Sequence, residues 1–400
     1  MSKWGELAPY WFLLFTIGFG WFILAPLLPA LSKALSTGLG NVLLIVSSYG
    51  YTMVVLGLLA GYIAAKFTVK NALYSAMIIS IVGLFGRALS VSNYASFLIF
   101  GIIAAIAYPL AMAPVGSVAS SIYKEKSHTI IGISVGMLFL GMAIGALVGP
   151  YIFGSFGLSG TMWLTVVLAV LAAIWLPFKA NGYPTFYKGK SLHGSFKLGM
   201  IKNWYVGLAI ASMSVMFGSI ASTVLLLHKL AISTALAYGG LFGGLAFLGS
   251  ALGAIILPPL FEKYRAIRAG LVTTGVLSFV FVAMMVLSLS YTSLLGVIAL
   301  AYFLFGFFGN AYWSMAMTST TNYVEDPAKA GFATSMYSVA TNLGVAIIPV
   351  FVGVEFASLS SIAIGVSVVL VLEVIAMLLA PTLKAKGFAE SVKRIGRRKR

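Results

Sequence analysis

Residues 141–154 read GMAIGALVGPYIFG. In a water-soluble helix each interior glycine costs roughly 1 kcal/mol relative to alanine, and an interior proline about 3. In lipid the same letters have a use. Gly141, Gly145 and Gly149 recur every fourth residue, so they share one helix face and let a neighbouring backbone approach closely. Pro150 removes a backbone hydrogen bond, which surrounding helices tolerate in a membrane, and predicts a kink there. The stretch therefore reads as a membrane helix with a smooth, bendable face, suited to a sliding seam between two moving bodies. Static packing is the alternative use of the same spacing.

The composition around it agrees. Of 400 residues, 61% are hydrophobic and 8% charged, against about a quarter charged in an average soluble protein. Asp326 is the sole aspartate, beside seven glutamates. Such a chain cannot hide its apolar surface in a soluble fold, so its solvent is lipid. The absence of cysteine excludes disulfides, thiolate metal sites and cysteine chemistry. His128, His193 and His228 fall at predicted loops or helix ends, so no metal site and no cofactor is implied.

Windows of about 20 apolar residues, enough to cross a bilayer as helix, occur near 9–31, 42–65, 72–92, 95–117, 129–153 and 161–178. They resume near 205–227, 236–260, 269–289, 292–317, 331–354 and 359–381. The opening MSKWGELAPYWFLLF lacks a short apolar core with a cleavage site, so 9–31 reads as a retained first span. The expected fold is all-α: twelve transmembrane helices in two pseudo-symmetric six-helix bundles. The boundaries are a first bundle over 1–178, a polar linker over 179–204, a second bundle over 205–383 and a basic tail over 384–400.

A cytoplasmic N-terminus leaves Lys33, Arg87 and Lys229 outside or near the outer face and every other Lys and Arg inside. That asymmetry follows the positive-inside rule and places both termini in the cytoplasm of a cell-membrane protein. The net charge of +17 is thereby mostly topology and implies no nucleic acid. The tail KRIGRRKR (393–400) is expected on anionic lipid headgroups.

The halves repeat. SSIYKE (120–125) aligns with TTNYVE (320–325), and Gly145, Pro150 and Gly154 align with Gly344, Pro349 and Gly353. Lys66 aligns with Lys263. Parallel six-span repeats are a transporter architecture, with the substrate site between them near the midplane.

Six plus six spans, a basic linker and these repeats resemble the major facilitator superfamily over essentially the whole chain. The family's loop after span 2 carries Gly, three residues, Asp-Arg and further basic residues. Here GYIAAKFTVK (61–70) keeps Gly61, Lys66 and Lys70 but has Ala65 in place of the acid. The corresponding LPPLFEKYRAIR (257–268) supplies Glu262, Lys263, Arg265 and Arg268. The resemblance implies a loop latch that leans on the second half. Gly136, Gly145, Gly149, Pro150 and Gly154 fit the family's span-5 antiporter motif, with Phe153 replacing one glycine. This implies proton-coupled export, whereas the arginine common in span 4 of such antiporters is missing.

On the family's template spans 1, 4, 7 and 10 line the cavity, flanked by 2, 5, 8 and 11. The implied substrate groups are Tyr49, Tyr51, Tyr108, Ser212, Ser219 and Thr223, then Tyr302, Asn310, Tyr312 and Trp313, then Tyr337, Thr341 and Asn342. Asn310 and Asn342 stand out because an amide in hydrocarbon needs a partner. Packing or interfacial anchoring explains each aromatic equally well. Two ionisable residues fall inside spans. Glu373, in LVLEVIAML (370–378), is the proton-coupling candidate, against a protonated structural role. Arg87, six residues before Asn93, is expected to snorkel to the outer interface, with attraction of anions as the other reading.

The functional expectation is a monomeric secondary transporter moving a small organic solute by alternating access, with proton-coupled export as the leading mode. Uptake or facilitated diffusion of a neutral or anionic metabolite is the alternative. A non-transporting membrane sensor or assembly subunit is the reading from another class. HExxH and GxxxxGK[ST] are absent, and the one GxSxG match, GISVG (132–136), lies inside an apolar span rather than on a strand-to-helix turn, which argues against an enzyme and against ATP drive.

Overall fold

The computed structural model describes residues 3–27, 31, 33–122, 124–179, 192–292, 294–324 and 326–385. The linker core (180–191) and the tail beyond 385, with its KRIGRRKR, lie outside the described residues.

The described chain is helical throughout. In order come α1 (Lys3–Phe22), α2 (Leu39–Lys66), α3 (Val69–Leu89) and α4 (Tyr94–Met112), the last prolonged by a short helix (Val115–Ile122). A single helical run (Ser127–Lys179) follows, and Gly157, at φ 65° and ψ −171°, breaks it into α5 (127–156) and α6 (158–179). Then come α7 (Ile201–Leu227), α8 (Ile232–Lys263), α9 (Ile267–Tyr291), α10 (Leu295–Thr321), α11 (Pro327–Val352) and α12 (Ile362–Leu379). Eleven stretches of these helices are long and apolar enough to cross a membrane. The first helix misses that measure because Lys3, Glu6 and Pro9 dilute its run.

The sequence windows fall on these helices with two informative differences. The first helix starts six residues before the window and ends nine before its limit. Pro26, which has no N–H to continue the ladder, sits in the 3-10 turn Ala25–Leu27 just past its end. The second lies seven residues past Pro150: the dihedrals at Pro150 are helical, and the helical run breaks at Gly157. Glycine adopts positive φ without steric cost, which proline cannot do at all.

Local signals start several helices. Thr68 accepts the Asn71 N–H at 3.1 Å at the head of α3, and Asn93 accepts the Ser96 N–H at 2.9 Å before α4. Asp326, the one aspartate, accepts the Lys329 N–H at 3.0 Å at the start of α11. Each such cap contributes about 1 kcal/mol.

Two compact units emerge from this order. One comprises Met1–Lys124, Met137–Ser195 and Val324–Val339; the other comprises Glu125–Gly136, Phe196–Tyr323 and Ala340–Arg400. The cut is therefore not simply at the linker. The first turns of α5 pack with α7–α10, and the first turns of α11 pack with α1–α4.

Candidate functional site

The glycine face of α5 lies against α1. A Cβ on Gly141 would collide with the Phe15 carbonyl oxygen, one on Gly145 would meet the Phe19 oxygen at 2.8 Å, and one on Gly149 the Ile23 oxygen at 2.7 Å. Gly18 of α1 answers from the other side, against the Leu138 carbonyl. The residues aligned with this stretch behave alike in the second repeat, where Gly344 abuts Leu208 and Ser212 of α7. Gly154 has open space around its Cβ position. The side chain of Pro150, like that of Ser219, lies outside the described ones. Thus the close seam made by 141–149 is with the first span of the same repeat.

The start of α5 makes a different seam. A Cβ on Gly132 would meet the Ala254 oxygen at 2.5 Å, and one on Gly136 the Ala251 oxygen at 2.9 Å, both on α8. From the end of α8, the Glu262 carboxylate accepts the N–H groups of His128 and Thr129 at 3.1 and 2.8 Å, and the Thr129 hydroxyl through a very short bond. This is an anion seated on the positive end of a helix dipole. Lys263 lies over the ring of Tyr264, 5.7 Å away, and Arg265 takes positive φ (55°) in the turn after α8.

The equivalent start of α11 has no acid from α2, where Ala65 stands. Its own Asp326 caps it, and hydroxyls make the seam. Ser117 donates to the Pro327 oxygen at 2.6 Å, Thr334 donates to the Ala113 oxygen at 2.9 Å, and Gly116 N–H donates to Thr334 at 3.3 Å. Gly61 fits beneath Ser335, which donates to Gly331 and Ala113. Lys66 and Lys70 lie over the rings of Tyr62 and Tyr74 at 5.8 and 5.6 Å.

The aromatic and amide residues singled out in the sequence divide between the two units. In the second, Asn310 donates to Ser250 at 2.7 Å and to Ser214 at 3.3 Å, so its NH2 ties α10 to α8 and α7. Tyr302 donates to the Phe217 oxygen at 3.0 Å, with its ring 5.3 Å from Phe242. Tyr312 donates to the Ala376 oxygen at 2.7 Å, one turn past Glu373 on α12. Tyr205, which sequence reading passed over, donates to the Leu372 oxygen at 3.1 Å. Glu373 is 1% exposed, with Tyr205 and Tyr312 within electrostatic reach and its Oε1 lacking a hydrogen-bond donor. Trp313 and Asn342 are buried in the same unit, and Tyr337 in the other, each near 5% exposed or less.

In the first unit Tyr108 joins Trp21 and Tyr49. Trp21 stacks on Tyr49 at 4.8 Å with an 8° interplanar angle and meets Tyr108 at 5.2 Å. Its indole N–H is used by the Val46 oxygen at 2.7 Å. Arg87 completes this group, and it does not snorkel: it is 0% exposed, over the ring of Phe97 at 5.2 Å. An arginine in the last turn of a helix, with apolar neighbours on every side in sequence, gave no sign of which way it pointed. Among the described residues Arg87 and Glu373 are the buried members of the Asp, Glu, Lys and Arg set.

Two helix starts seated on partner helices, two glycine seams and two isolated buried charges are the parts of a membrane carrier rather than of a catalytic cleft. Comparison with known proteins agrees. No curated protein sequence matches the chain. Among solved structures it is similar to the E. coli fucose:proton symporter, with TM-score 0.75, 13% identity and coverage of 95% of this chain and 98% of that one. A human organic anion transporter gives TM-score 0.69 at 14% identity, covering 95% and 100%. A bacterial homologue of the iron transporter ferroportin, in an outward-facing state, gives 0.71 at 14%, covering 98% and 100%. These likenesses concern the fold. In sequence, residues 10–349 match the Major Facilitator Superfamily profile, so the chain is a multi-pass membrane transporter and not an enzyme, and it belongs to that superfamily.

Proposed function

We propose that the protein carries a small organic solute across the cell membrane by alternating access, with both termini cytoplasmic and with protons as the coupling ion. The observation that supports alternating access is the exchange of helix beginnings. α5 starts on α8 and α11 starts on α2 and α4, where a capping carboxylate and a set of hydroxyls add to the packing of buried apolar side chains. Contacts of that kind, each worth about 1 kcal/mol net, can form and break on every cycle.

Glu373 supports proton coupling. It is a carboxyl within a span, buried, with an oxygen left without a donor beside two phenols. A carboxyl in that setting binds and releases a proton as its surroundings open and close. The fucose carrier among the similar structures is a proton symporter. We assign export, on the spacing of Gly136, Gly145, Gly149, Pro150 and Gly154.

Purified protein in liposomes tests this. With a panel of radiolabelled sugars, carboxylates and amphipathic amines, an imposed pH gradient is expected to drive accumulation of at least one solute. Glu373→Gln is expected to abolish the gradient-driven part and leave solute exchange intact. Flux that ignores the gradient in both proteins rules out proton coupling, and absence of any flux argues for a non-transporting role.

A further inference from the structure

Three membrane helices of the second unit end together. The apolar run that leads into α7 opens at Leu198, that of α10 closes at Thr321, and that of α12 closes at Thr382. Lys197 stands just before the first of these limits, and Lys384 two residues past the last. The headgroup layer is roughly 5–7 Å thick on each side of the hydrocarbon core. Both ammonium groups therefore lie at the depth of the lipid phosphates.

Hydrogen bonds draw these ends into one place. Asn322 Nδ2 donates to the Lys384 oxygen at 3.1 Å, and Lys384 Nζ donates to the Asn322 oxygen at 3.5 Å. The Tyr323 hydroxyl donates to the Gly199 oxygen at 3.0 Å. Gly199 leaves room for that ring, since a Cβ there would stand 2.6 Å from Tyr323 Cε1. The Lys384 ammonium lies over the same ring, 3.9 Å from its centroid, which fixes where the charge sits.

A second cation faces it. Burial and the nearby Lys197 charge push the Lys384 ammonium below its ordinary value. Among the described residues no carboxylate acts on Lys384 to offset that repulsion. The surroundings are apolar rather than aqueous in character. Phe196 and Leu198, on either side of Lys197, are exposed, as are Ile201 at the start of α7 and Leu378 in the last turn of α12. The Phe196 ring packs on Trp204 at 5.6 Å, an aromatic pair of the kind that settles at a membrane boundary.

We propose that Lys197 and Lys384 together seat the phosphate of one anionic phospholipid, whose acyl chains run over Leu198, Ile201 and Leu378. The phosphate supplies the counter-charge that the two lysines lack, through charge-assisted hydrogen bonds. A choline headgroup would bring a third cation to the same place, so the site selects anionic over zwitterionic lipid. A free anion satisfies the charges but leaves the apolar neighbours uncovered, which favours a lipid as the occupant. The bound lipid joins the ends of α7 and α12, and its seat is separate from the basic tail KRIGRRKR.

Thermal unfolding of the purified full-length protein in neutral-detergent micelles, at constant ionic strength, tests the site. Dioleoyl phosphatidylglycerol is the probe, with dioleoyl phosphatidylcholine as its zwitterionic counterpart and inorganic phosphate as the free anion. Phosphatidylglycerol is expected to raise the midpoint in a saturable way, and the other two are not. Lys197→Gln and Lys384→Gln are expected to weaken the apparent affinity about fivefold each and about thirtyfold together. Lys197→Arg, which keeps the charge, is expected to retain it. Replacing Lys393, Arg394, Arg397, Arg398, Lys399 and Arg400 by glutamine is expected to leave the saturable rise in place. If variants with Lys384→Gln do not fold, Lys197→Gln, at an exposed position, carries the test. Equal stabilisation by phosphatidylcholine, or unchanged affinity in Lys197→Gln, overturns the site. A rise lost in the tail variant but kept in the double variant assigns the lipid to the tail and overturns the site as well. The same saturable rise with inorganic phosphate overturns the lipid as its occupant.

Discussion

Asn310 illustrates what a single letter reveals and conceals. An amide within a span predicts a partner, and the partner here is a pair of serine hydroxyls on two different helices. Nothing in the sequence marks Ser214 and Ser250 as those partners, because serine is common in membrane helices and the pairing spans 96 and 60 residues. Interhelical hydrogen bonds of this kind average about 0.6 kcal/mol and reach about 1.7. Asn310→Ala should therefore lower the unfolding free energy by about 1–2 kcal/mol, read as a fall in the midpoint of thermal unfolding in detergent. Ser214→Ala, at the longer bond, should cost less than Ser250→Ala. If Asn310→Ala unfolds like the wild type and instead abolishes solute binding, its amide serves the solute rather than the bundle. Arg87 is the opposite case. Its charge was plain from its letter, but its burial was not, because a residue near a helix end can turn toward water or toward the core with equal ease in sequence.

Helix-scale pattern is where the sequence was most legible. Apolar run length located the eleven membrane-length helices found among the described residues, and α1 beside them, because a bilayer demands about 20 residues of helix regardless of what packs on it. Partner choice was not legible. A four-residue glycine spacing states that some backbone comes close, not whose. At 141, 145 and 149 that backbone belongs to α1, whereas at 132 and 136 on the same helix it belongs to α8. The distinction makes a sharp comparison among glycines that look equivalent in the motif. Gly141→Leu drives a side chain into the Phe15 carbonyl, an overpacking against backbone that cannot yield, and should cost 3 kcal/mol or more, beyond the about 1–3 usual for overpacking. Gly154→Ala meets open space and should be neutral or stabilise by up to about 1 kcal/mol through helix propensity. Gly157→Ala, at φ 65° and ψ −171°, a region that is essentially glycine-only, should cost about 1–3 kcal/mol. Midpoints measured side by side check all three, and a harmless Gly141→Leu would refute the seam.

At the scale of the whole chain, the division that sequence repeats draw at the linker differs from the one that packing draws. The repeats record duplication, which copies contiguous residues. Packing records contacts, and these assign the beginnings of α5 and α11 to the opposite unit from the rest of each helix. Two polypeptides cut between residues 185 and 186 should therefore remain associated. The fragment carrying 127–136 is held by α8 of the other fragment, and the fragment carrying α11 is held by α2 and α4. Co-expressed with a purification tag on one fragment only, the two should co-purify in detergent. The capping carboxylate should matter to that association more than any surface charge. Glu262→Ala strips an acceptor from the N–H groups of His128 and Thr129, which at about 2 kcal/mol weakens association roughly thirtyfold. Thr334→Val leaves the Gly116 N–H without its hydroxyl and the Ala113 carbonyl with Ser335 alone, and at about 1 kcal/mol should weaken it roughly fivefold. The two sites lie in different units, so their effects should add in the double variant. Loss of co-purification in the double variant, with each fragment still inserted in the membrane, identifies these capping and hydroxyl contacts as what holds the two repeats together. Retention in all three variants would show that packing against lipid-buried helix faces suffices without them.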